Sequence, residues 1–258
     1  MSLVHYERRG PIATIRLNHP EGYNTPFGEM LLALGELFEE IRKTPEIRVV
    51  ILTGEGPDAF CTGSDITEPT QPDGDQALLS STHAQTVCNQ IENYHVPVIA
   101  AVGGIAAGGG CELALTCHLR IASTNARFSL PQIKLGVIPA YAGTQRLTRE
   151  IGPRRALETI LTDGPISAEQ ALEAGLVSRV VDQECLPAEA ESLANKIANL
   201  APPAIRACLE AVIKGADLPL EEGLALETQL FASLFATEDV REGTRAFLEK
   251  RKPMFKGT

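Results

Sequence analysis

The chain has no tryptophan, four tyrosines and eight phenylalanines in 258 residues. Stacking of nucleic-acid bases on aromatic side chains is therefore not its theme. Positive charge is also scarce: 23 Lys and Arg against 33 Asp and Glu leave a net charge of −10. That balance argues against nonspecific binding to nucleic acid or to anionic membranes as a main function. One local exception is the basic tail Lys250-Arg251-Lys252, followed by Lys256. No stretch approaches about 18 consecutive apolar residues, so no membrane span is expected. The first residues lack a charged-then-apolar signal pattern, and a cytoplasmic protein is expected. The six cysteines are scattered without a Cys-x-x-Cys pair, and Cys111 and Cys117 lack histidines at zinc-ligand spacing. Free, mostly buried thiols and no metal site follow from that. Cys61 and Cys111 lie near glycine turns, but lone cysteines are more often packing residues than nucleophiles.

What is present is an ordinary globular balance, 44% hydrophobic and 22% charged. It suits one large domain plus an appendage. Val4–Arg8 and Ile12–Leu17 alternate around Arg9-Gly10-Pro11 and predict a hairpin. Phe27, Met30, Leu31, Leu34, Leu37, Phe38 and Ile41 recur at helical spacing. Val49–Leu52 reads as a buried strand. Residues 67–77 are polar and rich in breakers, and predict a loop, with a helix following to about Tyr94. A strand at 97–102, a helix from Gly109 and a strand at Leu119–Ala122 continue the alternation, which indicates an α/β domain. Helices are expected at Leu186–Leu200, Pro202–Lys214, Leu220–Phe235 and Asp239–Lys250. The boundary therefore falls between an α/β core at 1–185 and a helical region at 186–258. Leu224, Leu230, Phe231, Leu234 and Phe235 make that region very apolar, so it is expected to pack on its own core or on another subunit.

The most informative stretch is residues 97–113, Pro-Val-Ile-Ala-Ala-Val-Gly-Gly-Ile-Ala-Ala-Gly-Gly-Gly-Cys-Glu-Leu. It reads as a buried strand, a tight turn and a helix N-terminus with Glu112 in the first turn. Glycines let a ligand approach the backbone, and the first amides of a helix have no intrahelical acceptor. Free N–H groups aimed at one point are what a developing oxyanion needs, and a carboxylate beside them suggests proton transfer. The order is neither the dinucleotide fingerprint nor a P-loop, since no Lys-Ser or Lys-Thr follows. A phosphate, or no ligand, remains the plain alternative for such a turn. A second turn, Ala59-Phe60-Cys61-Thr62-Gly63-Ser64-Asp65-Ile66, could add a second amide to the same oxygen.

These segments, with 128–147 (Phe-Ser-Leu-Pro-Gln-Ile-Lys-Leu-Gly-Val-Ile-Pro…Ala-Gly-Thr-Gln-Arg-Leu) and 162–180, resemble the enoyl-CoA hydratase/isomerase, or crotonase, family. The likeness runs from Asn18-His19-Pro20 to Glu249-Lys250-Arg251-Lys252. It implies a crotonase-like spiral of strand–strand–helix repeats with a C-terminal helical trimerisation region, assembled as a homotrimer or a dimer of trimers. It implies an acyl-CoA thioester substrate, with coenzyme A part of the substrate and no separate cofactor. The amides of Ser64 and Gly109 would hold the thioester oxygen. Gly63, Ser64, Asp65, Ile66 and Thr67 would line the pantetheine arm, and Phe247 and Lys250 would reach CoA from a neighbouring subunit. A plain reading of Lys250 is a cation at a helix C-terminus.

Family hydratases use two glutamates. One matches Glu112; the other aligns, through Pro-x-Ile-x-Leu-Gly, with Gln132. A neutral amide orients water but does not shuttle protons. The resemblance therefore supports a hydratase in which Glu112 carries the acid/base work and Gln132 positions water. A Δ3–Δ2 enoyl-CoA isomerase with a single base and an acyl-CoA binder without turnover are the alternatives. Tyr141 stands where small residues are expected, as a pocket wall or as a hydrogen-bond donor to substrate. Asp65 suits turn geometry better than catalysis, and Glu68 is a further loop-side acid. His83 falls on the helix after that loop; His95 and His118 abut strands and read as structural.

Overall fold

A computed structural model describes residues 2–19, 22–25, 27–63 and 73–258. The hairpin forms as β1 (Val4–Arg9) and β2 (Ile12–Leu17), antiparallel with Arg9 opposite Ile12. Helix α1 (Phe27–Arg42) turns Met30, Leu31, Leu34, Phe38 and Ile41 inward. The next strand, β3 (Val49–Gly54), lies parallel to β2. It starts a repeat in which the chain lays one strand in a first sheet, a short strand in a second sheet, and then a helix. Its three rounds begin β3, β4 (Ala59–Cys61), α2 (Gly74–Glu92); then β5 (Val98–Val102), β6 (Ile105–Ala107), α3 (Gly109–Leu115); then β7 (Leu119–Ser123), β8 (Arg127–Ser129) and a 3₁₀ turn over Pro131–Leu135. Helices α4 (Gly143–Ile151), α5 (Pro153–Thr162) and α6 (Ala168–Glu173) follow, with β9 (Ile166–Ser167) and β10 (Arg179–Val181) completing the sheets. The first sheet has the order β1-β2-β3-β5-β7-β10 and the second β4-β6-β8-β9.

Two local expectations differ. The glycine stretch 103–108 reads as one turn, yet Ile105–Ala107 is a strand paired with β4 and β8. Three residues between glycines are too few to show a period of two. The crossing between sheets needs Gly104, at φ +84°, where a Cβ would stand 2.1 Å from the Asp58 carbonyl oxygen. The expected loop at 67–77 ends at Asp73, whose side chain accepts the Gln76 amide and starts α2 at Gly74. Residues 67–72 lie outside the described residues.

The sheet is covered on both faces. One face packs on α1 and α2 through Leu34, Phe38, Val87 and Ile91. The other packs on α7 (Leu186–Ala198) through Leu186, Ala190, Leu193 and Ala194 against Ile51, Ile99 and Ile121. A central parallel sheet of continuous apolar strands is what such double coverage requires. Beyond α7, helices α8 (Pro202–Gly215) and α9 (Leu220–Leu234) pair with each other, and α10 (Glu238–Leu248) leads to the tail. Leu220, Leu224, Phe231, Phe235 and Phe247 stay exposed. Arg48 ties this arm to the core by donating to the carbonyls of Ala198 and Phe255. No helix among the described residues is long and apolar enough to cross a membrane.

Candidate active site

Glu112 is the centre of the site. It lies in the first turn of α3, and its residue surface is 1% exposed. The helix starts there because Gly108, at φ +51°, turns the chain out of β6, while Gly110 packs so tightly on β4 that a Cβ would stand 2.0 Å from the Cys61 carbonyl oxygen. Its carboxylate is fully engaged. Oε1 accepts the backbone amides of Tyr141 and Gly143, both at 2.8 Å, and Oε2 accepts Nε2 of Gln132 at 2.9 Å. Three donors converge on one carboxyl, an arrangement that favours its ionised form.

Burial, the largest influence, pushes the Glu112 carboxyl up to about 7; the Gly143 and Tyr141 amides, the Arg146 charge and Gln132 oppose it. A carboxyl in that range holds and releases a proton near neutral pH.

The amides come from the segment between the 3₁₀ turn and α4. Ala142 adopts φ +75°, an unusual backbone for a residue with a Cβ, and so aims two nearby N–H groups at one oxygen. Gly143 must lack a side chain, because a Cβ would stand 2.7 Å from Glu112 Cγ. The segment is held from α2. Ser81 Oγ and Gln85 Nε2 donate to the Ala140 carbonyl at 2.7 and 2.8 Å. Arg146, a buried guanidinium, donates to Glu92 through Nε and Nη2, to Asn89, and to the Tyr141 carbonyl at 3.3 Å.

Gln132 sits on the 3₁₀ turn beside Glu112, and its Oε1 is buried with no hydrogen-bond partner among the described residues. Such an atom carries a desolvation cost of about 1–3 kcal/mol until something donates to it. The turn after β4 also reaches the site. Gly63, at φ +88°, lies so close to α3 that a Cβ would stand 2.9 Å from the Gly109 amide nitrogen. Ser64, Asp65, Ile66, Thr67 and Glu68 lie outside the described residues. Tyr141 lines an apolar chamber of about 370 Å³ with Leu31, Leu32, Ala84, Val87 and His83. Phe247 and Lys250 lie at the exposed end of α10, the latter at φ +54°.

The remaining candidates are structural. Cys61 and Cys111 are buried thiols pushed up to about 12 by desolvation, which leaves no thiolate for nucleophilic work. Cys185 and Cys208 are exposed, unlike the other four cysteines. His118 accepts the Val98 amide on Nδ1 and bonds the Glu92 carbonyl through Nε2. No cluster of potential metal ligands occurs among the described residues. Sequence reasoning assigned no role to Gly143 or Arg146. Both lie in the quoted Ala-Gly-Thr-Gln-Arg-Leu run, but their partner is 31 residues away at Gly143 and 54 away at Arg146.

Comparison with known proteins points to one family. The enoyl-CoA hydratase/isomerase family model matches residues 7–258. An (E)-benzylidenesuccinyl-CoA hydratase of Thauera aromatica is 42% identical over 98% of this chain and 99% of its own length. A short-chain-enoyl-CoA hydratase of Clostridium acetobutylicum is 38% identical over 96% of this chain and 95% of its own. The crystal structure of enoyl-CoA hydratase from Bacillus anthracis superposes with a TM-score of 0.95 at 39% identity, covering all of both chains. A match along nearly the whole chain, on a crotonase fold, shows that this protein belongs to the enoyl-CoA hydratase/isomerase family.

Proposed function

We propose that this enzyme adds water to a 2-enoyl-CoA with Glu112 as its single acid/base group. The observation that carries the reading is a buried carboxylate held by three donors, with a neutral amide, Gln132, as its side-chain neighbour. The thioester oxygen would be received by the amides of Gly109 and Ser64, which stabilise the enolate as charge develops. Glu112 would take a proton from water as the hydroxyl oxygen bonds to the β-carbon, then return that proton to the α-carbon. One water is consumed, one C–O and one C–H bond form, and Glu112 ends ionised as it began. Gln132 would orient the water or the new hydroxyl, using the Oε1 that finds no donor among the described residues.

Residues Gly63, Asp65, Ile66 and Thr67 would line the pantetheine arm, and Tyr141 would wall the acyl tail in its apolar chamber. Phe247 and Lys250 would serve the site of a neighbouring copy in a homotrimer or a dimer of trimers. Support for assembly comes from the exposed Leu220, Leu224, Phe231 and Phe235 on α9 and its C-terminal end, whose main packing partner among the described residues is α8. The oligomerisation region would begin at 186, with α7 joining it to the core sheet. Coenzyme A enters as part of the substrate, and a cytoplasmic setting suits it.

A single carboxylate also suits a Δ3–Δ2 isomerase, since one base can abstract and return a proton over one face of the substrate. The deciding experiment follows the enoyl-thioester absorbance of crotonyl-CoA. Loss of absorbance that depends on Glu112 supports hydration. Gain of absorbance from a 3-enoyl-CoA, with crotonyl-CoA untouched, makes the enzyme an isomerase. Binding without either change would leave a non-catalytic acyl-CoA binder.

A further inference from the structure

Helix α2 carries two adjacent stripes with different duties. Ser80, His83, Ala84 and Val87 line the apolar chamber beside Tyr141. Ser81, Gln85, Asn89 and Glu92, spaced four, four and three apart, form a second stripe on the same helix. Every member of that second stripe holds the segment that grips Glu112. Ser81 and Gln85 bind the Ala140 carbonyl directly. Asn89 and Glu92 bind Arg146, which binds the Tyr141 carbonyl. The first peptide unit so fixed, Ala140–Tyr141, itself carries the Tyr141 amide, and the second, Tyr141–Ala142, immediately precedes the unit that carries the Gly143 amide; both amides end on Glu112 Oε1.

We propose that Ser81, Gln85 and Arg146 are positioning residues that clamp residues 140–143 to α2, so that the helix walling the acyl chamber also sets the protonation of Glu112. The clamp is rigid where it matters: the guanidinium is 8% exposed and grips Glu92 with two nitrogens, a geometry lysine does not reproduce. Its effect has a definite sign. The two amides favour the ionised carboxyl, while burial disfavours it. Releasing the segment removes the donors but not the burial, so Glu112 holds its proton to higher pH. Movement of α2 as the chamber fills would pass to Glu112 along the same bonds.

The inference rests on the reading of Glu112 as the acid/base group, so its test includes a readout that needs no turnover. The variant is Ser81→Ala with Gln85→Ala, which removes both donors to Ala140 from partly or fully exposed positions. Glutamate-labelled ligand-free protein is titrated by carboxyl ¹³C NMR, with Glu112→Gln identifying the resonance. The expected result is an upward move of the Glu112 midpoint by about one pH unit. With crotonyl-CoA, kcat at pH 7 should fall about fivefold, as the ionised fraction drops from about one half to about one eleventh, while KM stays within about twofold, the mark of a group acting in the transition state. Thr82→Ala, on the same helix and with its hydroxyl donating to the Leu78 carbonyl one turn back, is the control and should move neither quantity. Arg146→Lys should shift the midpoint in the same direction as the double variant. An unmoved midpoint in the double variant, or an equal shift in Thr82→Ala, overturns the proposal. A wild type silent towards crotonyl-CoA refutes the hydratase reading for that substrate and leaves the midpoint to decide the clamp.

Discussion

Gly143 gives its amide to Glu112 Oε1 at 2.8 Å, and the same residue leaves no room for a Cβ, which would stand 2.7 Å from Glu112 Cγ. The donor and the missing side chain are one requirement, because an amide this close to a buried carboxylate needs bare backbone. Gly143→Ala should displace Glu112 and lower kcat by about 10²–10³, the range for losing one preorganised donor. Steady-state kcat on crotonyl-CoA, with circular dichroism to confirm folding, checks this. A rate within threefold of wild type at intact fold would show that the contact is dispensable.

Glu112 should set both the rate and the stability as pH changes. On the proposed mechanism water activation uses its carboxylate, so kcat should rise with pH through about 7. Glu112→Gln should abolish that limb and cost about 10²–10⁴ in rate. Its folded value, about 7, lies above the ordinary 4.5. The carboxyl therefore favours the fold most below about pH 4.5, and that contribution is lost as pH rises through 7. Melting curves should show wild type losing more stability than Glu112→Gln between about pH 5 and pH 8. Parallel curves would mean that the carboxyl is not held near neutrality.

Gln132→Glu would place a second carboxyl where Nε2 now stands 2.9 Å from Glu112 Oε2. Two carboxylates at that distance do not both ionise; they share a proton, and one titrates higher. The pair can then donate and accept in turn, so hydration of crotonyl-CoA should increase and the pH optimum should move upward. A slower variant with an intact fold would indicate that Gln132 serves something other than water positioning.

The chamber beside Tyr141 should make the enzyme sensitive to acyl length. Each methylene buried is worth about 0.8 kcal/mol, so kcat/KM should climb about fourfold per added carbon until the chamber is full. Leu32→Trp narrows the wall and should end the climb earlier, with crotonyl-CoA little affected. A flat profile from four to eight carbons would place the acyl tail elsewhere.

The alternation of strands and helices was legible because apolar periodicity is local. The hairpin, α1, β3, β5 and the C-terminal helices lie where their patterns place them, with ends moved by a residue or two. The strand Ile105–Ala107 was not legible, since three residues carry no period and its partners β4 and β8 are supplied by distant chain. Within the site, Glu112 and Gln132 could be read as a related pair only through the family resemblance; the hydrogen bond between them spans 20 residues.

By itself, then, the sequence determined the family and the order of elements, and its resemblance pointed to Gln132 as the position where family hydratases carry a glutamate. Motifs and periodicity are properties of neighbouring residues, and the chain states them directly. Tertiary structure alone decided how Glu112 is poised. The Tyr141 and Gly143 amides come from one loop, the clamp on that loop comes from Ser81, Gln85, Asn89 and Glu92 on α2, and Arg146 joins the two. A pKa near 7 is the balance between burial and those donors, and neither exists until segments far apart in the chain close around one side chain.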